Sequence, residues 1–378
     1  MRKLRFLAGI LAFLILIVPV CGVDIDFGAP SCILMEASTG EVLYEFNADE
    51  QLPPASVTKI MTLLLVMEAV DDGRLGWEEM VSTSERAASM GGSQVFLKVG
   101  EEMPVWEMVK CVVISSANDA AVALAEKVAG SEEAFVEKMN ERAAELGMKN
   151  TVFKNTNGLD DTVEGHVTTA RDIAIMSREL IMNHPKILEY SSTWMDTIRN
   201  GAFGLTNTNR LVRFYRGANG LKTGSTSKAK FCLSATALRD GMQLIAVVMA
   251  SPTRDARNES AKKLLDYGFA GWETAELGGL TCEPLRVLGG VADSVNVVSE
   301  SSSVILKKGE KAKLTLSVEL SESVQAPVEA GDIVGKCVYT LDDREIASLP
   351  LKAGENVDRI SYFGLFSRYL CRMLSGQL

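Results

Sequence analysis

The sequence predicts an α+β or α/β layered domain over residues 23–272, a small all-β domain over 277–357 and a terminal helix over 358–378. Three observations support this division. A predicted hairpin and late β-compatible runs enclose a middle part whose apolar patterns are helical. After Trp272 the apolar runs become short, alternate with polar residues and are broken by Gly, Pro and Ser. At the end, aromatic and apolar residues return with helical spacing.

The first residues indicate export from the cytoplasm. Three basic residues precede an apolar run over residues 6–20, and Gly22 offers a small residue for cleavage. We therefore expect a signal peptide at 1–22 and a mature chain that begins near Val23. An uncleaved N-terminal anchor is the alternative, although the run is short for a spanning helix. A lipid on Cys21 has less support, because the residue before it suits lipidation poorly.

Composition excludes several classes of function. The formal net charge is −10 and the chain interior has no dense Lys/Arg block, so a nucleic-acid role has no electrostatic basis. The two histidines, His166 and His184, lack metal-ligand spacing and offer little to a Ser-His-Asp triad, so we expect no metal and no cofactor. The seven cysteines contain no C-x-x-C pair. Buried free thiols and the disulfides of an exported protein both remain open.

A hairpin and a buried helix open the first domain. Residues 32–35 and 41–46 have strand patterns and are joined by a turn-rich segment that ends in Gly40. The next pattern, over residues 57–70, is helical and apolar nearly all round. We therefore expect this helix to lie in the centre of the domain rather than on its surface.

Further helices and then strands fill the rest of the first domain. β-compatible apolar runs on both sides of a turn at Gly241 predict adjacent antiparallel strands. The predicted helices are 104–113, 120–128, 132–146, 169–182 and a closing helix at 260–269, and the predicted strands are 220–224, 231–237 and 242–249.

The end of the chain carries no catalytic pattern. In the terminal helix the apolar and aromatic residues fall on one face, and Ser361, Arg368 and Arg372 fall on the other. Such a helix is typical of a membrane interface, and docking on the chain's own β domain is the alternative. The apolar face comprises Tyr362, Phe363, Phe366, Tyr369, Leu370, Met373 and Leu374.

A serine and a lysine lie three residues apart where the predicted central helix begins. In the segment Pro53-Pro54-Ala55-Ser56-Val57-Thr58-Lys59, this spacing puts both side chains on one face, one turn apart. The prolines fit the approach to a helix, where free N–H groups favour negative charge. The spacing alone fits an ordinary helix start equally well. It recurs at Ser225/Lys228, Ser227/Lys230 and Ser260/Lys263.

Two further motifs follow in order. Ser116-Ala-Asn118 lies between two predicted helices, where Ser and Asn also serve as ordinary helix caps. Lys222-Thr-Gly224 lies on a predicted strand. A Ser-x-x-Lys, a Ser-x-Asn and a Lys-Thr-Gly motif occur together in penicillin-binding proteins and class A β-lactamases. The combination is far more specific than any one of its members.

The chain resembles the D-alanyl-D-alanine carboxypeptidases, which are low-molecular-mass penicillin-binding proteins of the serine peptidase type. Two departures are visible, because Ala117 stands where the family usually has Gly and Thr156-Asn157 stands where it often has Pro-His. Neither departure changes a group that does chemistry. The matching segments extend over nearly the whole chain and include 54–62, 115–120, 155–160, 165–166, 207–211 and 220–224.

The resemblance implies a penicillin-binding/β-lactamase-like transpeptidase fold and a serine-type D-Ala-D-Ala carboxypeptidase. We expect Ser56 to be the nucleophile and Lys59 its base, with a pKa lowered by burial and by the positive charge of Lys222. Ser116 would pass the proton to the leaving D-alanine, and Asn118 would orient Lys59 and the substrate amide. Water would then hydrolyse the acyl-enzyme.

Other residues of the three motifs are expected to bind the substrate. Lys222 and Thr223 would bind its terminal carboxylate, and Arg254 or Arg257 could add a contact. Gly224 would let the substrate backbone lie along the strand.

The resemblance also implies partners and a location. The backbone N–H groups of Ser56 and Ser225 would form an oxyanion hole. The substrate would be a peptidoglycan stem peptide that ends in D-Ala-D-Ala, and β-lactam antibiotics would be covalent inhibitors. The chain would work at the extracytoplasmic face of the cytoplasmic membrane, in the periplasm or cell wall, and contact the membrane surface through its C-terminal helix.

Three other functions remain open. A class A β-lactamase needs a carboxylate that activates the deacylating water. Glu179 has that spacing, but it lies inside a predicted helix, so we expect a solvated surface residue. A D,D-endopeptidase that cuts crosslinks would use the same residues. A wall- or membrane-binding protein with a vestigial site is the third, and the intact Ser, Lys and Asn residues argue against it.

Overall fold

The computed structural model describes residues 27–161 and 163–374, and its first part is built around an antiparallel sheet. The strands of this part are β1 (Ser31–Glu36), β2 (Val42–Phe46), β3 (Met80–Ser82), β4 (Glu102–Pro104), β5 (Met195–Ile198), β6 (Phe203–Thr206), β7 (Ala218–Thr226), β8 (Lys230–Arg239) and β9 (Met242–Ser251). Five of them form the central sheet in the order β2-β1-β9-β8-β7. The pairs β3-β4 and β5-β6 form two small sheets of their own. The predicted signal peptide lies outside the described residues.

Helices cover both faces of this sheet. They are α1 (Lys59–Asp71), α2 (Glu85–Ala88), α3 (Val105–Ile114), α4 (Asn118–Ala129), α5 (Glu132–Glu145), α6 (Ala170–Asn183), α7 (Ile187–Ser191), α8 (Leu211–Phe214) and α9 (Arg254–Gly271). Helix α9 packs on one face, and α6 packs on the other. Helix α1 lies behind α6 against α4 and α5, and nearly all of its side chains are buried. This confirms the predicted central helix.

Strand β9 shows why the late apolar runs are continuous. Residues 244, 246 and 248 pack with α9, whereas residues 245, 247 and 249 pack with the helical layer that contains α1 and α6. Because successive side chains of a strand point to opposite faces, a strand covered on both sides needs apolar residues at every position. The predicted antiparallel pairing of β8 and β9 is confirmed.

Two helices begin earlier than the sequence predicts. Helix α4 begins at Asn118 rather than at Ala120, and α9 begins at Arg254 rather than at Ser260. The hydroxyl of Thr253 accepts a hydrogen bond from the backbone N–H of Ala256 (3.1 Å) and caps α9. The first turns of α9 are charged and have no apolar periodicity, so the pattern that marks its later part is missing there.

The second part of the chain is all-β, as predicted. Its strands are β10 (Trp272–Leu277), β11 (Thr281–Leu288), β12 (Ser294–Ser299), β13 (Ser302–Lys307), β14 (Thr315–Leu320), β15 (Ser323–Gln325), β16 (Ile333–Leu341) and β17 (Arg344–Ala353). Strand β10 pairs with β13, and the others form a sheet in the order β14-β16-β17-β12-β11-β15. Side chains of both sheets share one hydrophobic core. All six cysteines in the described part of the chain are free thiols.

The terminal helix α10 (Tyr362–Leu374) presents its apolar face to solvent. Tyr362 is 96% and Phe363 is 82% exposed. Arg368 holds the other face to the β region, because its guanidinium donates to Asp293 Oδ1 (2.7 Å) and to the carbonyl of Val291 (2.6 Å). The helix therefore touches the β region through a polar side chain and leaves its aromatic residues uncovered. No helix among the described residues is long and apolar enough to cross a bilayer.

Candidate active site

Ser56 lies in one turn of 3-10 helix, Ala55–Thr58, that leads into α1. Ala55 has a positive φ of 49°, and the hydroxyl of Thr58 donates to its carbonyl (2.8 Å). Gly158 packs directly on this turn, since a Cβ at that position would lie 1.8 Å from the carbonyl oxygen of Ala55. Only glycine fits there, so the loop around residue 158 supports the serine turn closely.

Lys59 is the first residue of α1 and is fully buried. Its amine lies 2.9 Å from Ser56 Oγ, 2.5 Å from Asn118 Oδ1 and 2.9 Å from the carbonyl of Asn157. Burial, together with the positive charge of Lys222, holds the pKa of this amine well below its usual value, and Asp119 opposes the shift. The structure thus places a lysine with a depressed pKa against the serine hydroxyl.

Ser116 lies between α3 and α4, Asn118 is the first residue of α4, and neither side chain caps that helix. Ala117 occupies the N-cap position of α4, and no side chain caps that helix. Asn118 instead bridges Lys59 and the carbonyl of Gly91, to which its Nδ2 donates (2.7 Å). Ser116 has a positive φ of 62°, and its hydroxyl accepts a hydrogen bond from Lys222 Nζ (2.8 Å). The capping interpretation of these two residues is therefore wrong.

Lys222 approaches from β7 on the other side of Ser116. It is 1% exposed, and its amine also donates to the carbonyl of Thr223 (2.9 Å). Burial and the nearby charge of Arg257 lower the pKa of Lys222 to about 7. One lysine with a lowered pKa therefore contacts the Ser56 hydroxyl, and a second contacts the Ser116 hydroxyl.

Gly224 lets β7 come close to the serine turn. A Cβ on Gly224 would lie 2.6 Å from the carbonyl oxygen of Pro54 and 2.9 Å from the backbone nitrogen of Ser56. The sequence suggested that this glycine makes room for a substrate backbone. In the structure, a side chain at Gly224 is excluded by contact with residues 54–57 of the chain itself.

A cleft of about 560 Å³ opens over these motifs. Ser56, Ser116, Thr223, Gly224 and Ser225 line it, whereas the amines of the two motif lysines and the Asn118 amide reach it from behind. The structure therefore brings all eight sequence-predicted site residues together. Other lining residues are not among the predicted site residues, although three of them belong to the matching segment 207–211. These other residues are Ser93, Trp194, Thr206, Asn207, Thr208, Arg210 and Phe214.

Arg257 is the more deeply placed of the two arginines considered from the sequence. It is 3% exposed and lines the cleft, whereas Arg254 lies at the surface end. Burial and the charge of Arg254 lower the pKa of Arg257 to about 10. Its guanidinium donates to Asn258 Oδ1 (2.9 Å) and meets no carboxylate within ion-pair distance in the described part of the chain.

Curated relatives and family models match the chain over most of its length. A model described as D-alanyl-D-alanine carboxypeptidase matches residues 21–253, and one described as the C-terminal domain of penicillin-binding protein 5 matches residues 279–359. The chain is 44% identical over 347 residues to D-alanyl-D-alanine carboxypeptidase DacF of Bacillus subtilis, covering 90% of this chain and 88% of that one. The chain belongs to the D-alanyl-D-alanine carboxypeptidase family. It is therefore a peptidase, as predicted.

Other relatives of this family agree in sequence and in fold. D-alanyl-D-alanine carboxypeptidase DacC of Escherichia coli is 36% identical to this chain. The alignment covers 96% of this chain and 94% of that protein. The crystal structure of penicillin-binding protein 5 from Haemophilus influenzae superposes with a TM-score of 0.76 at 33% identity, covering 89% of this chain and all of that one. Both parts of the predicted fold class are confirmed.

His166 supports the serine turn from behind. Its Nε2 lies 2.8 Å from Thr58 Oγ1, and the backbone N–H of Lys154 donates to its Nδ1 (3.1 Å). Burial lowers the pKa of His166 to about 4, so the ring is neutral. Because Nδ1 accepts a hydrogen bond, the ring proton is assigned to Nε2 and points at Thr58. Neither His166 nor His184 lines the cleft.

Glu179 does not line the cleft. It lies in α6 and forms an ion pair with Arg142 (2.6 Å). Its side chain is 20% exposed, so the expectation of a solvated residue is wrong in detail. Glu179 therefore does not provide the cleft with the carboxylate that a class A β-lactamase would need.

Proposed function

We propose that the chain removes the terminal D-alanine from peptidoglycan stem peptides through an acyl-enzyme on Ser56. One observation carries this proposal: a serine hydroxyl at the floor of an open cleft lies 2.9 Å from the amine of a fully buried lysine. Serine is a weak nucleophile until a base takes its proton, and a lysine can do so once burial and a nearby cation have lowered its pKa.

The contacts of Lys59 support proton transfer from the Ser56 hydroxyl to the Lys59 amine. A protonated amine has three N–H donors, and Lys59 has three oxygen neighbours: Asn118 Oδ1, the carbonyl of Asn157 and Ser56 Oγ. The first two can only accept. When the amine is neutral, its two remaining N–H groups serve these acceptors and its lone pair faces Ser56 Oγ. The serine hydroxyl then donates to Lys59 and is ready to lose its proton.

Ser116 and Lys222 supply the proton that the leaving amine needs. Ser56 Oγ forms a bond to the carbonyl carbon, the C–N bond breaks, and D-alanine leaves as an amine that must gain a proton. Ser116 lies at the cleft surface with Lys222 Nζ donating to its hydroxyl, so it can pass a proton outward. Water then attacks the ester and gives up one proton, which Ser116 passes to Lys222. The Lys59 ammonium returns its proton to Ser56 Oγ as the ester C–O bond breaks, which restores the hydroxyl and releases the shortened peptide.

Cationic and hydroxyl groups hold the substrate in this proposal. Thr223 and Lys222 face the terminal carboxylate, and Arg257 adds a buried guanidinium on the same side. The backbone N–H groups of Ser56 and Ser225 stabilise the oxyanion. β-Lactam antibiotics would acylate Ser56 in the same position and remain there.

The proposal includes a location at the membrane surface. The N-terminal residues 1–22 would direct export, the catalytic domain would span 23–272 and the β domain 277–357. The exposed aromatic face of α10 would lie in the outer interface of the cytoplasmic membrane, with Arg368 fixing the helix to the β region.

The test is incubation of the chain with a pentapeptide that ends in D-Ala-D-Ala. We expect free D-alanine, and we expect its release to disappear in Ser56→Ala. Release that persists in this variant would refute the assignment of Ser56. Absence of release from the native chain would support the vestigial wall-binding alternative, and fast turnover of penicillin would support the β-lactamase.

A further inference from the structure

A second cavity lies next to the loop that holds the base. This rear cavity measures about 390 Å³ and is bordered by α2, the first turn of α5 and the loop that contains Lys154 and Asn157. Gly92 packs between Asn118 and Leu159 of the cavity wall, since a Cβ there would lie 2.9 Å from Asn118 Nδ2 and 3.5 Å from Leu159 Cδ2. Among the described residues, none lines both the rear cavity and the serine cleft. The rear cavity is therefore a separate site.

The wall of the rear cavity is bonded to two residues of the active site. Asn157 Nδ2 lies 3.6 Å from Met90 Sδ in this wall, and the carbonyl of Asn157 accepts a hydrogen bond from Lys59 (2.9 Å). The residue after Met90 is Gly91, whose carbonyl accepts a hydrogen bond from Asn118 (2.7 Å). A ligand in the rear cavity therefore touches both segments that hold the active-site lysine and asparagine.

Two of the four charged side chains around the rear cavity have no partner. Glu132 is buried and forms an ion pair with Arg86 (2.9 Å), so these two charges compensate each other. Glu133 and Lys154 make no side-chain hydrogen bond or ion pair with any described residue, and they do not pair with each other. The lining thus presents one carboxylate and one ammonium that are available to a ligand.

These features match a zwitterionic ligand that has an aliphatic chain. Val136 and Leu159 give the cavity apolar surface besides its two available charges. A carboxylate of the ligand would bind Lys154, and an ammonium would bind Glu133. A free alanine would leave most of the cavity unfilled. A diamino dicarboxylic residue, such as the diaminopimelate of many stem peptides, carries a carboxylate and an ammonium at the end of an aliphatic side chain.

We propose that the rear cavity binds a second stem peptide through such a residue, and that this binding activates the serine site. The inference rests on the peptidase function proposed above. The cavity exists in the conformation in which Lys59 contacts both Ser56 and Asn157. A ligand that binds this conformation favours it over any other arrangement of the loop. Occupancy therefore raises the fraction of chains whose base is correctly placed, and D-alanine release is fastest where stem peptides are abundant.

Addition of a peptide that cannot be cut tests the activation. The probe is a stem tripeptide that ends in diaminopimelate and lacks both D-alanines. The substrate is a pentapeptide that ends in D-Ala-D-Ala and has norleucine at its third position, so that its own side chain cannot use the charges of the cavity. We expect the probe to raise kcat/KM for D-alanine release about 5-fold, with saturation. The same tripeptide with norleucine as its last residue should have no effect.

Two charge variants and two controls locate the binding site. Glu133→Gln and Lys154→Met should each weaken probe binding, measured by titration calorimetry, about 10-fold. Each should also lose the activation, measured against the variant's own rate without probe. Glu141→Gln and Lys138→Met alter exposed residues of α5 that do not line the cavity, and they should keep both binding and activation. Thermal unfolding checks that all four variants fold.

The outcomes separate this inference from the proposed function. Inhibition by the probe, or activation that both charge variants keep, would overturn the rear site, because the probe would then act elsewhere. Absence of probe binding to the native chain would overturn it too. So would faster cutting of a diaminopimelate pentapeptide without any effect of the added probe, since the cavity would then serve the peptide being cut. If the native chain releases no D-alanine, the proposed function fails, and probe binding with its loss in the charge variants still decides whether the cavity holds a stem peptide.

Discussion

The sheet-and-helix region contains β1–β9 and α1–α9, and the β region contains β10–β17. The two regions bury different kinds of side chain. Every buried polar or charged residue in the described part of the chain lies between Ser31 and Ser260. The β region buries apolar side chains, Cys337 and Tyr339, whose hydroxyl accepts the N–H of Gly278 (2.8 Å). Burial of an unpaired charge is costly. A concentration of buried polar and charged side chains in one region therefore indicates where chemistry takes place. Among the described residues of the β region, the core contains no charged side chain.

Removal of the buried amine should have the largest effect on activity. Lys59→Met keeps the length of the side chain but removes the base, so we expect kcat/KM for D-alanine release to fall by about 10³-fold or more. Asn118 and Asn157 lose a donor, but the fold should persist, which circular dichroism can check. A variant that keeps a tenth of the native activity would show that Lys59 is not the base.

The pH profile should report the second buried lysine. Lys59 must be neutral and Lys222 protonated, so kcat/KM should rise with pH through the depressed pKa of Lys59 and fall as pH passes about 7. Arg257→Gln removes a like charge and should therefore move the alkaline limb to higher pH, besides raising KM. Arg216→Gln is the control and should leave the limb in place. An alkaline limb that Arg257→Gln does not move would contradict the assignment to Lys222.

Loss of the support behind the serine turn should have a smaller effect. His166→Ala removes the partner of Thr58 and the acceptor for the N–H of Lys154, and we expect the free energy of unfolding to fall by about 1–3 kcal/mol. Activity should fall about 10-fold, through a looser Ser56. His166→Gln can still donate and accept, so it should recover part of both losses. If Ala and Gln behave alike in thermal unfolding and kinetics, the hydrogen bonds of His166 do not support the turn.

A cavity in the β region should hardly change activity at all. Leu351 is fully buried in that core, so Leu351→Ala should lower the stability of the β region by about 2–5 kcal/mol. We expect kcat/KM for D-alanine release to stay within about 2-fold of the native value while the chain remains folded. Leu316→Ala, on an exposed position of β14, is the matched control and should change neither quantity. A large loss of activity in Leu351→Ala would mean that the two regions are coupled.

The fold was predictable where the apolar patterns are strong. The all-round apolar helix over 57–70 and the continuous runs of β8 and β9 determine the centre of the first domain, and the structure has them there. The start of α9 was missed because its first turns carry Arg, Asp and Glu and contact the cleft rather than a core. Local capping by Thr253 determines that boundary, and one threonine is a weak signal in a sequence.

The candidate site was predictable where function imposes a residue type at a fixed spacing. The residues that could be predicted in this way are Ser56, Lys59, Ser116, Asn118 and Lys222. Other contributors act through backbone atoms or through packing, which leave no motif. The third neighbour of Lys59 is the backbone carbonyl of Asn157, and any residue could supply it. Ser93 reaches the cleft from a loop whose position depends on long-range contacts with α4.

Covalent labelling by penicillin is the most direct test of the central claim, that Ser56 differs from every other serine with the same spacing to a lysine. After incubation with penicillin, peptide mapping by mass spectrometry should find the adduct on Ser56 in the native chain. It should also find it in Ser227→Ala, which alters another Ser-x-x-Lys pair, and find no adduct in Ser56→Ala. An adduct on a different serine, or none on the folded native chain, would contradict the account.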